Sequence, residues 1–130
     1  MATLQKIYSD IDFTFYKKPG IADIGISYDE QAVLRSIRNL LSTRPYERLF
    51  NPAIGSNIDA ILFEMVSPTT ASILEKEITN TIQNYEPRAI LSSVAVIPNT
   101  DNLAYNVTIT FYLVNATLPT TVTLLLERNR

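Results

Sequence analysis

Tyr85-Glu86-Pro87-Arg88 is the point at which the longest helical pattern of the chain stops and its most strand-like part begins. Pro87 has no N–H to donate, and its ring clashes with a preceding helical turn. It also pushes Glu86 toward an extended conformation. If Glu86, Pro87 and Arg88 are extended, Glu86 and Arg88 point to the same side, because strand side chains alternate. Arg88 then lies near the negative end of the helix dipole. Two readings follow. One is a helix stop with a local ion pair, favoured because most such pairs are solvated surface features. The other is a partner-binding device.

Upstream of this stretch the pattern is helical. Ser67 caps a helix with Pro68 at its first position. Ala71, Leu74, Ile78, Ile82 and Tyr85 share one face, with Glu75, Lys76, Asn80 and Asn84 away from it. Before it, Asn57 is placed to cap a short helix holding Ile58, Ile61, Leu62 and Met65. Further back, Ser27-Tyr28-Asp29-Glu30 reads as a capping box. It opens a helix with Val33, Ile37, Leu40 and Leu41 on one stripe, which ends near Ser42-Thr43 because Pro45 disfavours helix at Arg44. Between the helices runs a loop from Arg44 to Ser56 with two prolines, Gly55, Leu49 and several aromatics. So apolar a loop is expected to be pinned to the core or to a partner. A packed connection and a binding role stand level. Gly55 is expected to supply a positive φ.

Downstream the period is two. Ile90, Ser92, Val94 and Val96 alternate with Leu91, Ser93, Ala95 and Ile97. A turn is expected at Pro98 to Asn102. Tyr105, Val107, Ile109, Phe111 and Leu113 form one face of a second strand, and Val122, Leu124 and Leu126 one face of a third. Short connectors predict an antiparallel meander with the helices on one face. The last strand reads as an edge open to pairing with another chain. At the start, Ile11, Phe13 and Phe15 alternate with Asp12, Thr14 and Tyr16, as in a half-buried strand or extended arm, before a turn at Lys17-Lys18-Pro19-Gly20. The expected fold is a single α+β domain over 1–130. An N-terminal arm or strand fills 1–26, and two main helices plus a short one fill 27–86. They pack on a three-stranded antiparallel sheet over 88–130.

A chain of 130 residues can bury a core. With 46% hydrophobic and 18% charged residues it belongs with ordinary globular proteins. The net charge of −2 offers no basic stripe for nucleic acid. The start lacks the apolar region of a secretory signal, and no apolar run approaches a membrane span. No cysteine and no histidine are present, which removes disulfides, Ser-His and Cys-His nucleophiles and the commonest zinc ligand. Asp10 and Asp12, two apart, fall short of a metal site, because calcium and magnesium want more oxygen donors. No cofactor or small-molecule substrate is expected. The one enzyme class left open is a carboxylate hydrolase acting on sugars, with Glu64, Glu86, Asp59 and Asp12 as candidates. Glu86 beside Arg88 suits a general acid poorly, since the cation keeps it ionised.

Four stretches carry a family resemblance. They are Tyr8 to Asp12; Arg44 to Gly55; Leu62-Phe63-Glu64-Met65 before Ser67-Pro68-Thr69-Thr70-Ala71; and Asn84-Tyr85-Glu86-Pro87-Arg88. Together they resemble the small baseplate wedge protein of T-even-like contractile phages, a family that includes the equivalent baseplate subunit of type VI secretion systems. Tyr46 stands where many members carry glycine. The resemblance implies a structural subunit of the virion tail baseplate, assembled in the host cytoplasm, with other wedge subunits and the tail sheath protein as partners. It implies contact with the wedge core bundle through Tyr85, Glu86, Pro87 and Arg88, helped by Arg44, Arg48, Phe50 and Gly55, and an N-terminal contact at Asp10 and Asp12. It also implies strand addition to the sheath at Thr121, Val122, Thr123, Leu124, Leu125, Leu126 and Glu127, with the strand around Thr108 to Tyr112. Because the family is often labelled lysozyme-like, a peptidoglycan hydrolase is the alternative. A bacterial adaptor of the same fold is a third possibility.

Overall fold

A computed structural model describes residues 8–11, 20, 26–114 and 116–127 of the chain. The elements are β1 (Ser9–Ile11), β2 (Ile26–Tyr28), α1 (Asp29–Ser42), α2 (Ile58–Leu62), α3 (Pro68–Tyr85), β3 (Ala89–Asn99), β4 (Ala104–Leu113) and β5 (Thr120–Glu127). The fold is the expected α+β arrangement of helices on a C-terminal antiparallel meander.

Period-two patterning builds the sheet. Its order is β3-β4-β5, all antiparallel. Tyr105, Val107, Ile109, Phe111 and Leu113 of β4 are all buried, and Val122 of β5 joins them. Leu74, Ile78 and Ile82 of α3 lie against the sheet, and Val33 and Ile37 of α1 with Ile58 and Ile61 of α2 join the same core. Each fully buried side chain of this size contributes about 1.5–3 kcal/mol. The helix limits follow local chemistry. Ser67 is extended, and its Oγ accepts the Thr70 N–H at 3.1 Å, with Pro68 next in line.

Several expectations change. Ser27 pairs with Asp10 in the β1–β2 ribbon, and α1 opens at Asp29. Asp29 takes a left-handed φ of 45°, its N–H donates to the Tyr8 carbonyl at 2.8 Å, and its Oδ1 accepts from the Tyr8 N–H at 3.0 Å. The N-terminal strand thus occupies the head of the helix, and β2 lies across the expected boundary at residue 26. Asn57 precedes α2 without a side-chain cap. Met65 and Tyr85 lie outside the core. In β3 the register shifts between Leu91 and Ser93. Leu91, Val94 and Val96 therefore pack against the core while Ile90 and Ile97 face out, unlike an unbroken alternation. Pro98 belongs to β3, opposite Tyr105, and the turn falls at residues 100–103. A proline fits there because β3 is an edge strand. Of the expected N-terminal alternation, Phe13, Phe15, Asp12, Thr14 and Tyr16 lie outside the described residues, and Ile11 is exposed.

Candidate functional site

Glu86 leaves the helix as Pro87 demands. Its N–H still donates to the Ile82 carbonyl at 2.9 Å, but its backbone is extended at φ −125° and ψ 79°. Its side chain then turns inward and is only 3% exposed. Arg88 meets it with two prongs: Nε donates to Oε1 at 2.7 Å and Nη2 to Oε2 at 2.9 Å. From α1, the Ser36 hydroxyl donates to Oε2. The Tyr8 ring centre stands 5.8 Å from the guanidinium carbon, a cation–π distance. The same-side geometry read from the sequence holds, but the pair is not a solvated surface feature. Burial is the largest single influence on the Glu86 carboxyl and pushes its pKa up. The hydrogen bonds from Arg88 and Ser36, with the charge of Arg88, outweigh it and hold the carboxyl below its usual 4.5. The hydrogen bond to Glu86 raises Arg88 in turn.

The loop after α1 shows the opposite arrangement. Its base is closed by backbone bonds from Ser56 N–H to the Thr43 carbonyl at 2.9 Å and from Tyr46 N–H to the Pro52 carbonyl at 2.9 Å. Glu47 accepts the Arg44 N–H at 2.9 Å, and the Arg44 guanidinium pairs with Asp59 of α2. Gly55 has φ +154°, and a Cβ there would stand 2.7 Å from the Arg44 carbonyl carbon. Close approach of backbone is therefore what demands glycine. Tyr46, where the family resemblance leads one to expect glycine, makes the turn with φ 68°. At the tip Leu49 is 93% exposed and Phe50 fully so, with Arg48 beside them. The apolar tip is thus not pinned to the core. Tyr85 ties this loop to the end of α3: its hydroxyl donates to the Ala53 carbonyl at 2.7 Å.

At the far side of the sheet, β5 pairs with β4 along its whole length and has no strand on its other edge among the described residues. Thr121, Thr123, Leu125 and Glu127 are exposed, while Val122 is buried and Leu124 and Leu126 pack at the core margin. The strand from Thr108 to Tyr112 is different. It lies in β4, between β3 and β5, so its backbone groups are already used and are not open to another chain.

Asp10 sits in β1 with its Oδ1 accepting the Ile11 N–H at 2.9 Å, while Asp12 lies outside the described residues. Among the described residues no three carboxylates gather into a cation site, and no helix is long and apolar enough to cross a membrane. Of the candidate acids, Glu64 is exposed, Asp59 is paired with Arg44 and Glu86 with Arg88. Glu64 therefore lies in water, and the other two each sit beside a guanidinium. No motif or spacing singles out Ser36. The available signal is a serine in the turn between Val33 and Ile37, beside the buried stripe.

A sequence profile described as "Baseplate wedge protein gp25" matches residues 27–119. The baseplate wedge protein gp25 of Enterobacteria phage T4 is 34% identical over 115 residues, covering 88% of this chain and 86% of that one. Among solved structures, a putative tail lysozyme from Geobacter sulfurreducens superimposes with a TM-score of 0.74 at 23% identity, over 83% of this chain and 98% of the other. A chain of the anti-feeding prophage baseplate matches with a TM-score of 0.64 at 20% identity, over 95% and 87%. A chain of the type VI secretion system baseplate complex gives 0.65 at 19% identity, over 77% and 93%. At these identities the three structures speak for the fold.

Proposed function

The chain belongs to the family of baseplate wedge protein gp25, and on that premise we propose that it is a non-enzymatic structural subunit of a contractile-tail baseplate, with two docking ends. One end is the face made by Tyr85, Glu86, Pro87 and Arg88 together with the loop carrying Arg44, Arg48, Phe50 and Gly55. It grips the core bundle of the larger wedge subunits. Asp10, in β1, adds an N-terminal contact. The other end is the open edge of β5, Thr121 to Glu127, which accepts a strand of the tail sheath protein and so starts sheath growth. The protein works in the virion tail baseplate after assembly in the host cytoplasm.

The observation that carries this reading is the exposed apolar tip at Leu49 and Phe50, held on a closed loop base and tied through Tyr85 to the helix end beside Glu86. An exposed apolar tip, on a loop tied to the helix end that carries a buried ion pair, is a surface suited to a protein partner. The edge of β5, which has no partner strand among the described residues, supports strand addition, because such an edge offers a row of backbone donors and acceptors. A hydrolase is disfavoured by Glu86, whose arginine fork and depressed pKa keep it from donating a proton.

Arg88→Ala strands a buried carboxylate, so it disturbs the fold as well as the surface. Arg88→Lys keeps the charge and is the cleaner probe of docking: wedge assembly with it should fall. The sheath end is tested with single-cysteine variants at Thr123 and Leu125, which are clean labels because the chain has no cysteine. Each should cross-link to sheath protein as the sheath grows. Sheath growth without any such cross-link would remove strand addition at β5.

A further inference from the structure

We infer that the free protein pairs with a second copy of itself along β5. The two strands run antiparallel about a two-fold axis at Leu124, so that two three-stranded sheets join into one of six strands. This pairing is a property of the free chain and stands apart from the wedge contact. A sheath strand added at β5 would have to displace it.

The two outer strands of the sheet differ in their protection. Sheet edges are commonly blunted by charges, prolines or bulges. β3 has a register shift between Leu91 and Ser93, and Pro98 near its end. β5 has neither. Its register with β4 is unbroken from Thr120 to Glu127, and its one charge is Glu127, the last residue. Between Arg88 and Glu127 the only charged residue is Asp101, in the β3–β4 turn. Among the described residues β5 has no partner strand on its other side. It is also apolar on both faces. Leu125 is exposed on the outer face. On the inner face α3 lies over β3, and Leu124 and Leu126 of β5 are only half-buried. Consecutive leucines of this kind belong to strands covered on both sides.

Symmetry selects the second copy. A two-fold axis normal to the sheet keeps the helix-covered faces of both copies on one side, and residues opposite one another then share a face. With Leu124 on the axis, Leu124 meets Leu124 of the other copy. Val122 of each copy meets Leu126 of the other, also on the inner face, and Thr123 meets Leu125 on the outer face. Each half-buried leucine of β5 thus gains an apolar neighbour. Each Glu127 falls opposite Thr121, so the two carboxylates lie at opposite ends of the pair. β5 against β3 of another copy would be a heterologous contact that need not close. The shifted register and Pro98 of β3 oppose it. One strand pair is smaller than a standard interface, so the dimer is weak.

The test is sedimentation of the full-length protein across a concentration series, with single-cysteine variants to read the register. The native protein should be monomeric at about 1 μM and largely dimeric by about 1 mM, as a low-end interface allows. Thr123→Lys puts a charge on the exposed side of the edge strand and should weaken the dimer at least about tenfold with the melting temperature unchanged. Ser93→Lys, the same change on β3, should leave the dimer intact. Residues directly opposite across a strand pair have Cβ atoms about 4.5–5.5 Å apart, and diagonal ones about 7–8 Å. Under mild oxidation, a mixture of Thr123→Cys and Leu125→Cys proteins should therefore form the mixed disulfide faster than either variant closes on itself. A native protein still monomeric at about 1 mM would overturn the pairing. So would a dimer that survives Thr123→Lys and is lost with Ser93→Lys. Faster closure of Thr123→Cys on itself would overturn the axis at Leu124.

Discussion

Glu86 and Phe50 are placed on opposite sides of the usual rule: the glutamate is 3% exposed and the phenylalanine fully exposed. The two regions are linked through Tyr85, whose hydroxyl reaches Ala53 of the loop and whose neighbour in sequence is Glu86. The charged group is inside because three hydrogen bonds replace the water it loses. The apolar group is outside because its loop is closed by backbone bonds at the base, which leaves the tip no route to the core. Inversion in both directions at one end of the molecule is the feature that supports the proposed contact there. The sheet follows the ordinary rule more closely, with Val122 inward and Thr121 and Thr123 outward, although Leu125, Ile90 and Ile97 also face out.

The contrast can be broken from the inside first. Arg88→Ala leaves the Glu86 carboxylate buried without its cation, and removal of one partner from a buried pair costs about 3–5 kcal/mol. Urea unfolding should show that loss. An unchanged midpoint would mean that water reaches Glu86 freely. Acid sharpens the same point. The folded pKa of Glu86 is below its usual 4.5, so ionisation of this group stabilises the fold fully above about 4.5 and less as pH falls through the lower folded value. Glu86→Gln should flatten that part of the pH profile. Next in size, Gly55→Ala puts a Cβ against the Arg44 backbone and should cost about 1–3 kcal/mol, with the loop displaced. Thermal melting measures the cost, and proteolysis in the loop measures the displacement. Smallest in stability is the double change Leu49→Ser/Phe50→Ser. Residues so exposed should leave the melting temperature within the shift of about 0.5 kcal/mol, while wedge binding is lost. Retained binding would make the apolar tip incidental.

The sequence made the meander legible because β4 alternates without a break from Tyr105 to Leu113, and α3 because Ser67-Pro68 and Pro87 mark both its ends. What it concealed was long-range. Residues 26–28 carry no strand signal of their own, and only pairing with Ser9–Ile11 makes them a strand. The bulge at Ser92 has no local signature, since Ile90 and Leu91 are equally apolar. The direction of Glu86 depends on Ser36, fifty positions earlier, so the ion pair was visible in the spacing but its burial was not. The loop showed its apolar content but not its exposure, which depends on how its base closes over Gly55.

Hydrogen exchange of the full-length protein, free and bound to the larger wedge subunits, tests the two-ended account most directly. Binding should slow exchange at residues 46–52 and 85–88 and leave β5, Thr120–Glu127, unchanged until sheath protein is added. Slowed exchange on β5 with the wedge subunits alone, and none at residues 85–88, would contradict it.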